Sequence, residues 1–334
     1  KLVLLNNQLS LKMNKLINWN EIEINHCEFT HIDFFINEEK VESQINGNKL
    51  YFSYNGEVLG KNLKLIIDGV EEIVSVEEMP KLADFDEHYA YLEDDLGPAY
   101  SKDCTTFKLW APLATRVTLR ILDKEFNLIR GDKGVFEIKI NSDLDGALYD
   151  YVITLDGKEV VTIDPYAKSS NANGEKSAVI NLNKISQTKY NDESFKNYTD
   201  AIIYEGHVRD LTIDPNTNIK NKGKFLGLIE EGRTNKDGLP VGFDYIKSLG
   251  ITHLQLLPIY DYATVDEEHP DKSYNWGYDP IQYFVPEGSF ASNINDPASR
   301  IKDLLALVSH FHKHKILLYS FNALFNLSPS AGAS

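Results

Sequence analysis

The chain has 334 residues, 42% hydrophobic and 25% charged, enough apolar material for two or three globular domains. Its formal net charge is −16, from 34 Lys+Arg against 50 Asp+Glu, which argues against nucleic acid and anionic membrane surfaces as partners and leaves neutral substrates open. No run of about 18 apolar residues is present that would span a bilayer.

Residues 1–12 begin without Met and carry only a short apolar run, Leu2 to Leu5, too short for a signal-peptide core. They are expected to be a non-native leader, with Met13 as a natural start and a cytoplasmic location, the alternative being a secreted protein whose true N-terminus is missing. Cys27 and Cys104 lie far apart without metal-ligand spacing and read as two reduced thiols. Residues 13–88 read as a β domain. Segments 21–24, 31–36, 49–55, 63–69 and 71–78 are rich in β-branched and aromatic residues and are punctuated by the turn pairs Asn46-Gly47, Asn55-Gly56 and Asp68-Gly69. The acidic stretch 81–97 reads as a linker or entry loop.

Residues 89–190 predict a β-sandwich. Phe107, Leu109 and Ala111 alternate with Lys108 and Trp110, and Val117, Leu119 and Ile121 with Thr118 and Arg120. Tyr149, Tyr151, Ile153 and Leu155 form another period-2 row that ends at Asp156-Gly157. Near residue 200 the character changes. Strands are predicted at 201–208, 252–260 and 316–321, and helices at 238–250 (Val241, Tyr245, Ile246, Leu249) and 299–315 (Ile301, Leu304, Leu305, Val308). This alternation implies βαβ units and a parallel sheet.

The connection from about residue 260 to 298 is long, and long βα loops tend to be functional. It contains SYNWGYDP (273–280), whose Tyr274, Trp276 and Tyr278 follow neither a strand nor a helix period. Flat aromatic faces match the apolar faces of pyranose rings, and Asn275 and Asp279 carry groups that suit sugar hydroxyls. The structural alternative is an aromatic knot that fixes a long loop.

YNWGYDP (274–280) resembles the signature of type I pullulanases, debranching enzymes of glycoside hydrolase family 13. Other stretches resemble that family in the same order, over roughly residues 90–318. DLGPAYSKDCTTFKLWAPLATRVTLRIL (95–122) and DGALYDYVITLDG (145–157) look like a carbohydrate-binding module family 48 domain. VTIDPYAKSSNANGEKSAVINL (161–182), DAIIYEGHVRDLTIDP (200–215), KGKFLGLIEE (222–231) and GITHLQLLPIYD (250–261) continue the match. Isoamylase and glycogen branching enzyme are the alternative relatives, and a non-catalytic α-glucan-binding protein is the alternative function.

The resemblance implies a multidomain protein: all-β N-terminal domains, then the first three β/α units of a (β/α)8 TIM barrel in residues 191–334, truncated. It implies hydrolysis of α-1,6-glucosidic bonds in pullulan, glycogen or branched maltodextrin by two carboxylates roughly 5 Å apart, with no cofactor. It implies that Tyr274 stacks on the sugar beside the cleaved bond, that Trp276, Tyr278 and Asp279 shape that subsite, and that Trp110 is core of the module, a glucan contact being the alternative for Trp110. The family's catalytic carboxylates lie on later strands, and no acidic residue follows Asp303 here. The match fades near Leu318, Lys315 stands where the family has Gly, and Gly206 where it has a bulkier residue. The expectation is an inactive fragment with no catalytic residue, produced by a shifted frame or an early stop.

Three weaker signals remain. His310 and His314 are i,i+4 on a helix, as metal ligands can be, but no acidic or Cys third ligand is near in sequence. Together with His312 they read as positive residues at a helix C-terminus, and no metal site is expected. DEEH (266–269) matches no calcium loop and reads as a solvated loop. His207 and Asp210 fall at the end of a strand, either at the active-site side or in a structural pairing with Arg209.

Overall fold

The computed structural model describes residues 13–26, 28–185 and 197–320. The expected leader, Cys27 and residues 321–334 lie outside the described residues. The chain forms two compact units, one comprising the segments up to Ala99 with Thr106–Ile140 and Asp150–Thr162, the other Tyr100–Thr105, Asn141–Tyr149 and the chain from Ile163 onward. The expected sandwich segment is thus shared between them.

The first unit holds an eight-stranded sheet. In spatial order its strands are Glu39–Val41, Ile32–Ile36, Leu63–Ile67, Val70–Ser75, Asn14–Asn18, Glu21–Glu23, Lys49–Phe52 and Ser43–Asn46. Five were readable from sequence, because alternation puts Phe34, Leu50, Leu65 and Val74 into one core. Three were not. Glu39–Val41 follows a turn in which Asn37 and Glu38 both have positive φ without a glycine to mark it. Ser43–Asn46 is an exposed edge strand with no apolar row. Asn14–Asn18 makes the sheet's parallel step, pairing Asn14 with Val74.

The acidic stretch 81–97 is not a linker. It contains a short helix, Phe85–Tyr89, whose two aromatic ends are buried in this core. Trp19 packs against both rings and donates its indole N–H to Asp84 at 2.9 Å. Its acidic side chains line the exposed face, which is why composition alone suggested a tether.

In the same unit, Thr105–Trp110 and Val135–Ile140 are neighbours in a four-stranded sheet, and Arg116–Ile121 pairs antiparallel with Lys124–Asn127. Phe107, Leu109, Val117, Leu119 and Ile121 are buried as their alternation predicts. Arg120 forms a two-pronged pair with the buried Asp150, at 2.6 and 2.7 Å. Trp110, expected in the core, is 37% exposed. Its N–H donates to the carbonyls of Tyr89 and Lys133, which holds the ring at the margin of the sheet.

In the second unit, Ile203–Gly206, His253–Leu256 and Leu317–Ser320 form a parallel sheet with His253–Leu256 in the centre. Helices Gly242–Ser248 and Pro297–Lys313 supply Phe243, Ile246, Leu304, Leu307 and Phe311 to a core that takes Leu254 and Leu256 from the sheet. Tyr245 and Leu249 face outward instead, because the buried row of the short helix starts at Gly242 and Phe243. On the long helix Leu305 and Val308 are only half-buried, while Arg300 and Asp303 are buried. The other face of the sheet presents Ile203 and Tyr319, both exposed. Lys315 has φ +61°, a conformation that favours glycine at this helix-to-strand turn.

Candidate functional site

The central strand ends at Leu256, earlier than the sequence suggested. Pro258 follows, and the chain then enters a separate antiparallel hairpin, Tyr260–Tyr262 with Pro280–Pro286. The aromatic stretch 273–280 lies in the connection between these two hairpin strands, beyond the C-terminal end of the parallel strand.

Tyr274, Trp276 and Tyr278 are 45%, 62% and 53% exposed. Tyr274 is also held from its rim. Its hydroxyl donates to Asp210 at 2.7 Å, and its ring lies 5.3 Å from the His207 ring with the Arg209 guanidinium 5.7 Å from its centre. Partial burial and the Asp210 carboxylate push the phenol up to about 12, so it stays a donor.

Asn275 is turned inward. Its amide donates to Asp279 at 2.7 Å and to Thr264, its side-chain oxygen accepts from the Gly277 N–H, and its backbone carbonyl pairs with the buried His207 Nε2 at 3.1 Å. Asp279 is exposed and also accepts from Thr264 at 3.2 Å. These polar side chains therefore hold the loop in shape, and the aromatics are the groups it presents outward. Gly277 has φ +90°, and a Cβ there would lie 2.5 Å from the Pro258 carbonyl oxygen. Only glycine allows the loop to pack this closely on the strand end.

His207 and Asp210 come together with Tyr274, and Asp210 also lies near Arg209 as in the structural pairing. His207 Nδ1 lies 3.7 Å from Asp210, and Arg209 lies 3.9 Å from the same carboxylate. Burial keeps the His207 ring below its ordinary pKa. The absent side chain at Gly206 is filled by a neighbour: a Cβ there would meet Leu211 Cδ1 at 2.7 Å.

Beneath the loop sits a polar cluster that gave no sequence signal. Asp261, Glu267, Glu287 and Arg300 are all buried. Arg300 donates to Glu267 at 3.0 Å and to the carbonyls of Pro286 and Asn171, with Asp261 3.7 Å away. Asp261 accepts from Ser170 and Gln282, and Glu267 from the Asn173 and Gly288 amides. Burial, with the neighbouring carboxylates, pushes Asp261 up to about 6 and Glu287 up to about 8; Arg300 opposes the rise at Asp261. The reading of 266–269 as a solvated loop thus holds for Asp266, Glu268 and His269 and fails for Glu267, which points inward to Arg300.

Fold and site define a β-rich protein whose regular sheets lead into a parallel α/β segment with an aromatic loop over its strand ends. Residues 95–167 match Carbohydrate-binding module 48 (Isoamylase N-terminal domain). The pullulanase of Bacillus subtilis (strain 168) is 39% identical over 239 residues, covering 70% of this chain and 33% of that protein. The pullulanase of Anoxybacillus sp. LM18-11, solved with maltotetraose, superposes with a TM-score of 0.84 at 33% identity, over 92% of this chain and 46% of that one. The pullulanase of Paenibacillus barengoltzii, solved with maltohexaose and α-cyclodextrin, gives 0.68 at 40% identity, over 72% and 39%. The chain corresponds to the N-terminal region of type I pullulanases, family-13 debranching enzymes. It spans about a third of the length of the curated relative and under half of these solved chains.

Proposed function

We propose that this polypeptide binds branched α-glucans through Tyr274, Trp276 and Tyr278, and that by itself it does not hydrolyse them. The observation that carries the reading is the division of labour in the loop. Its polar side chains are spent on one another, and three flat aromatic faces stand 45–62% exposed above them. Exposed apolar groups held rigidly are a signature of a binding surface. Asn275 is then a positioning residue, and Asp279, still exposed, retains lone pairs for a sugar hydroxyl.

The parallel sheet is read as part of a (β/α)8 barrel, whose substrate site lies at the strand C-termini. The exposed face bearing Ile203 and Tyr319 is the one that a closed barrel covers. Retaining glycosidases use two carboxylates roughly 5 Å apart. Among the described residues of these strands the one acid, Glu205, bonds across to Gln255, and Asp210, just beyond the first strand, is taken by Tyr274.

Maltohexaose titrated calorimetrically into the 334-residue polypeptide tests the binding. Saturable heat that is lost in Trp276→Ala is expected, and no heat overturns it. Pullulan incubated with the same sample tests the chemistry. Reducing ends above a boiled control overturn the second half of the reading.

A further inference from the structure

We propose that Glu231, His310 and His314 form a three-ligand site for a zinc-class divalent cation at the C-terminal end of the Pro297–Lys313 helix. The two histidines are one helical turn apart, so their rings lie side by side on one face, 4.9 Å between centres and tilted to each other. The third ligand is 79 residues earlier in the chain, which is why sequence proximity missed it. Glu231 follows the turn Phe225–Ile229 and brings its Oε1 to 3.8 Å from His310 Nε2 and 3.5 Å from His314 Nε2.

Those separations decide the chemistry. They exceed the ordinary N–H···O distance of about 2.7–3.2 Å, so neither contact is a good hydrogen bond. Both Nε2 atoms are buried with no hydrogen-bond partner. Zinc bonds to nitrogen and oxygen at about 2.0–2.2 Å, and tetrahedral donors around such an ion stand roughly 3.3–3.6 Å from one another. The three donor atoms here all lie within 4.8 Å of one another. The two Glu231–histidine separations already lie close to that tetrahedral edge length, and the exposed Glu231 has the freedom to adjust to an ion seated on the two rings.

The rings are fixed for this from behind. Phe243 packs edge-on against His310 at 4.3 Å and against His314 at 4.8 Å. An imidazole pair locked by packing, with a mobile carboxylate completing the set and a fourth position open to water, suits zinc in both donor type and number. The site lies where the helix ends and the Leu317–Ser320 strand begins, at the opposite end of the sheet from the aromatic loop. Its occupancy therefore ties the helix end to the Phe225–Ile229 turn and does not touch the glucan surface.

The test is calorimetric titration of zinc chloride into the metal-stripped 334-residue polypeptide, with a thermal melt at each end point. One zinc per chain is expected, with a melting rise of about 5 °C at saturation. Glu231→Gln, at an exposed position away from the packed rings, is expected to weaken binding at least about tenfold, and His314→Ala to abolish it. Maltohexaose binding is expected to be unchanged in Glu231→Gln, which separates this site from the glucan reading. Absence of zinc binding overturns the proposal, and so does binding that is equally tight in Glu231→Gln and His314→Ala.

Discussion

Replacing Arg300 by Met keeps most of the side-chain volume and removes the one guanidinium among three buried carboxylates. The variant loses the 3.0 Å contact to Glu267, the nearby charge at Asp261, and the donors to the Pro286 and Asn171 carbonyls. Stripping one partner from a buried ion pair costs about 3–5 kcal/mol, and each orphaned carbonyl adds about 1–3. A loss on the order of 5 kcal/mol at pH 8 is expected. The loss depends on pH, with a definite sign. Asp261 in the fold is raised from 3.8 to about 6, and Glu287 from 4.5 to about 8. A carboxyl raised by folding contributes stability that is fully present below its unfolded pKa and fades as pH rises through its folded value. Without Arg300 the folded value of Asp261 climbs further, because the guanidinium is what opposes its burial, so protonation relieves the variant as pH falls toward 5. Urea unfolding at pH 5 and pH 8, followed by far-UV circular dichroism and by hydrogen exchange of the Pro297–Lys313 amides, measures the deficit. It should shrink by at least half at pH 5. A deficit equal at both pH values, or below about 1 kcal/mol at pH 8, refutes the assignment of this cluster as a charge-balanced clamp.

Gly277→Ala forces a side chain onto φ +90° and against the Pro258 oxygen, a strain of about 2–3 kcal/mol. Maltohexaose affinity should fall at least tenfold, while exchange protection of the His253–Leu256 amides is retained. Tyr274→Phe removes the hydroxyl bond to Asp210, worth about 0.5–1.5 kcal/mol, and should weaken maltohexaose binding several-fold by calorimetry. Gly206→Ala should cost about 1 kcal/mol in urea unfolding through its contact with Leu211, and the double variant with Leu211→Ala should show less than additive loss.

The parallel sheet was legible because its apolar runs are separated by helix-length segments with clear stops. The β segments were legible where one face is buried, as at Phe107 and Leu109. What was hidden has common causes. Turns that use Asn37-Glu38 or Leu122-Asp123 at positive φ carry no glycine to announce them. The strand 252–260 was overextended because its apolar run continues through Pro258 into the hairpin, so hydropathy has no break where hydrogen bonding does. The aromatic loop stood out because its composition is abnormal for a loop. Arg300, Glu267 and Glu231 did not, because a buried ion pair is defined by partners 33 residues apart and the histidine cluster by partners 79 or more apart.

Exposed aromatics and the hidden cluster belong to one physical argument. Three large rings facing water do nothing for folding, and a loose loop would collapse them onto the nearest apolar surface. The hairpin prevents this because its strand positions carry Asp261 and Gln282, which hydrogen-bond each other at 2.7 Å, and Asp261 lies beside Arg300 of the long helix. Glu267, within the same connection, bonds that guanidinium directly. The base of the loop is therefore set by buried charge pairing and its crest by Asn275 and Gly277. Ordering is completed during folding, so a sugar that stacks on Tyr274 or Trp276 meets a surface already in shape and loses little of its binding free energy to loop immobilisation. On this reasoning Arg300→Met should weaken maltohexaose binding although Arg300 is buried beneath the loop, and should do so through the same pH dependence that marks its effect on stability.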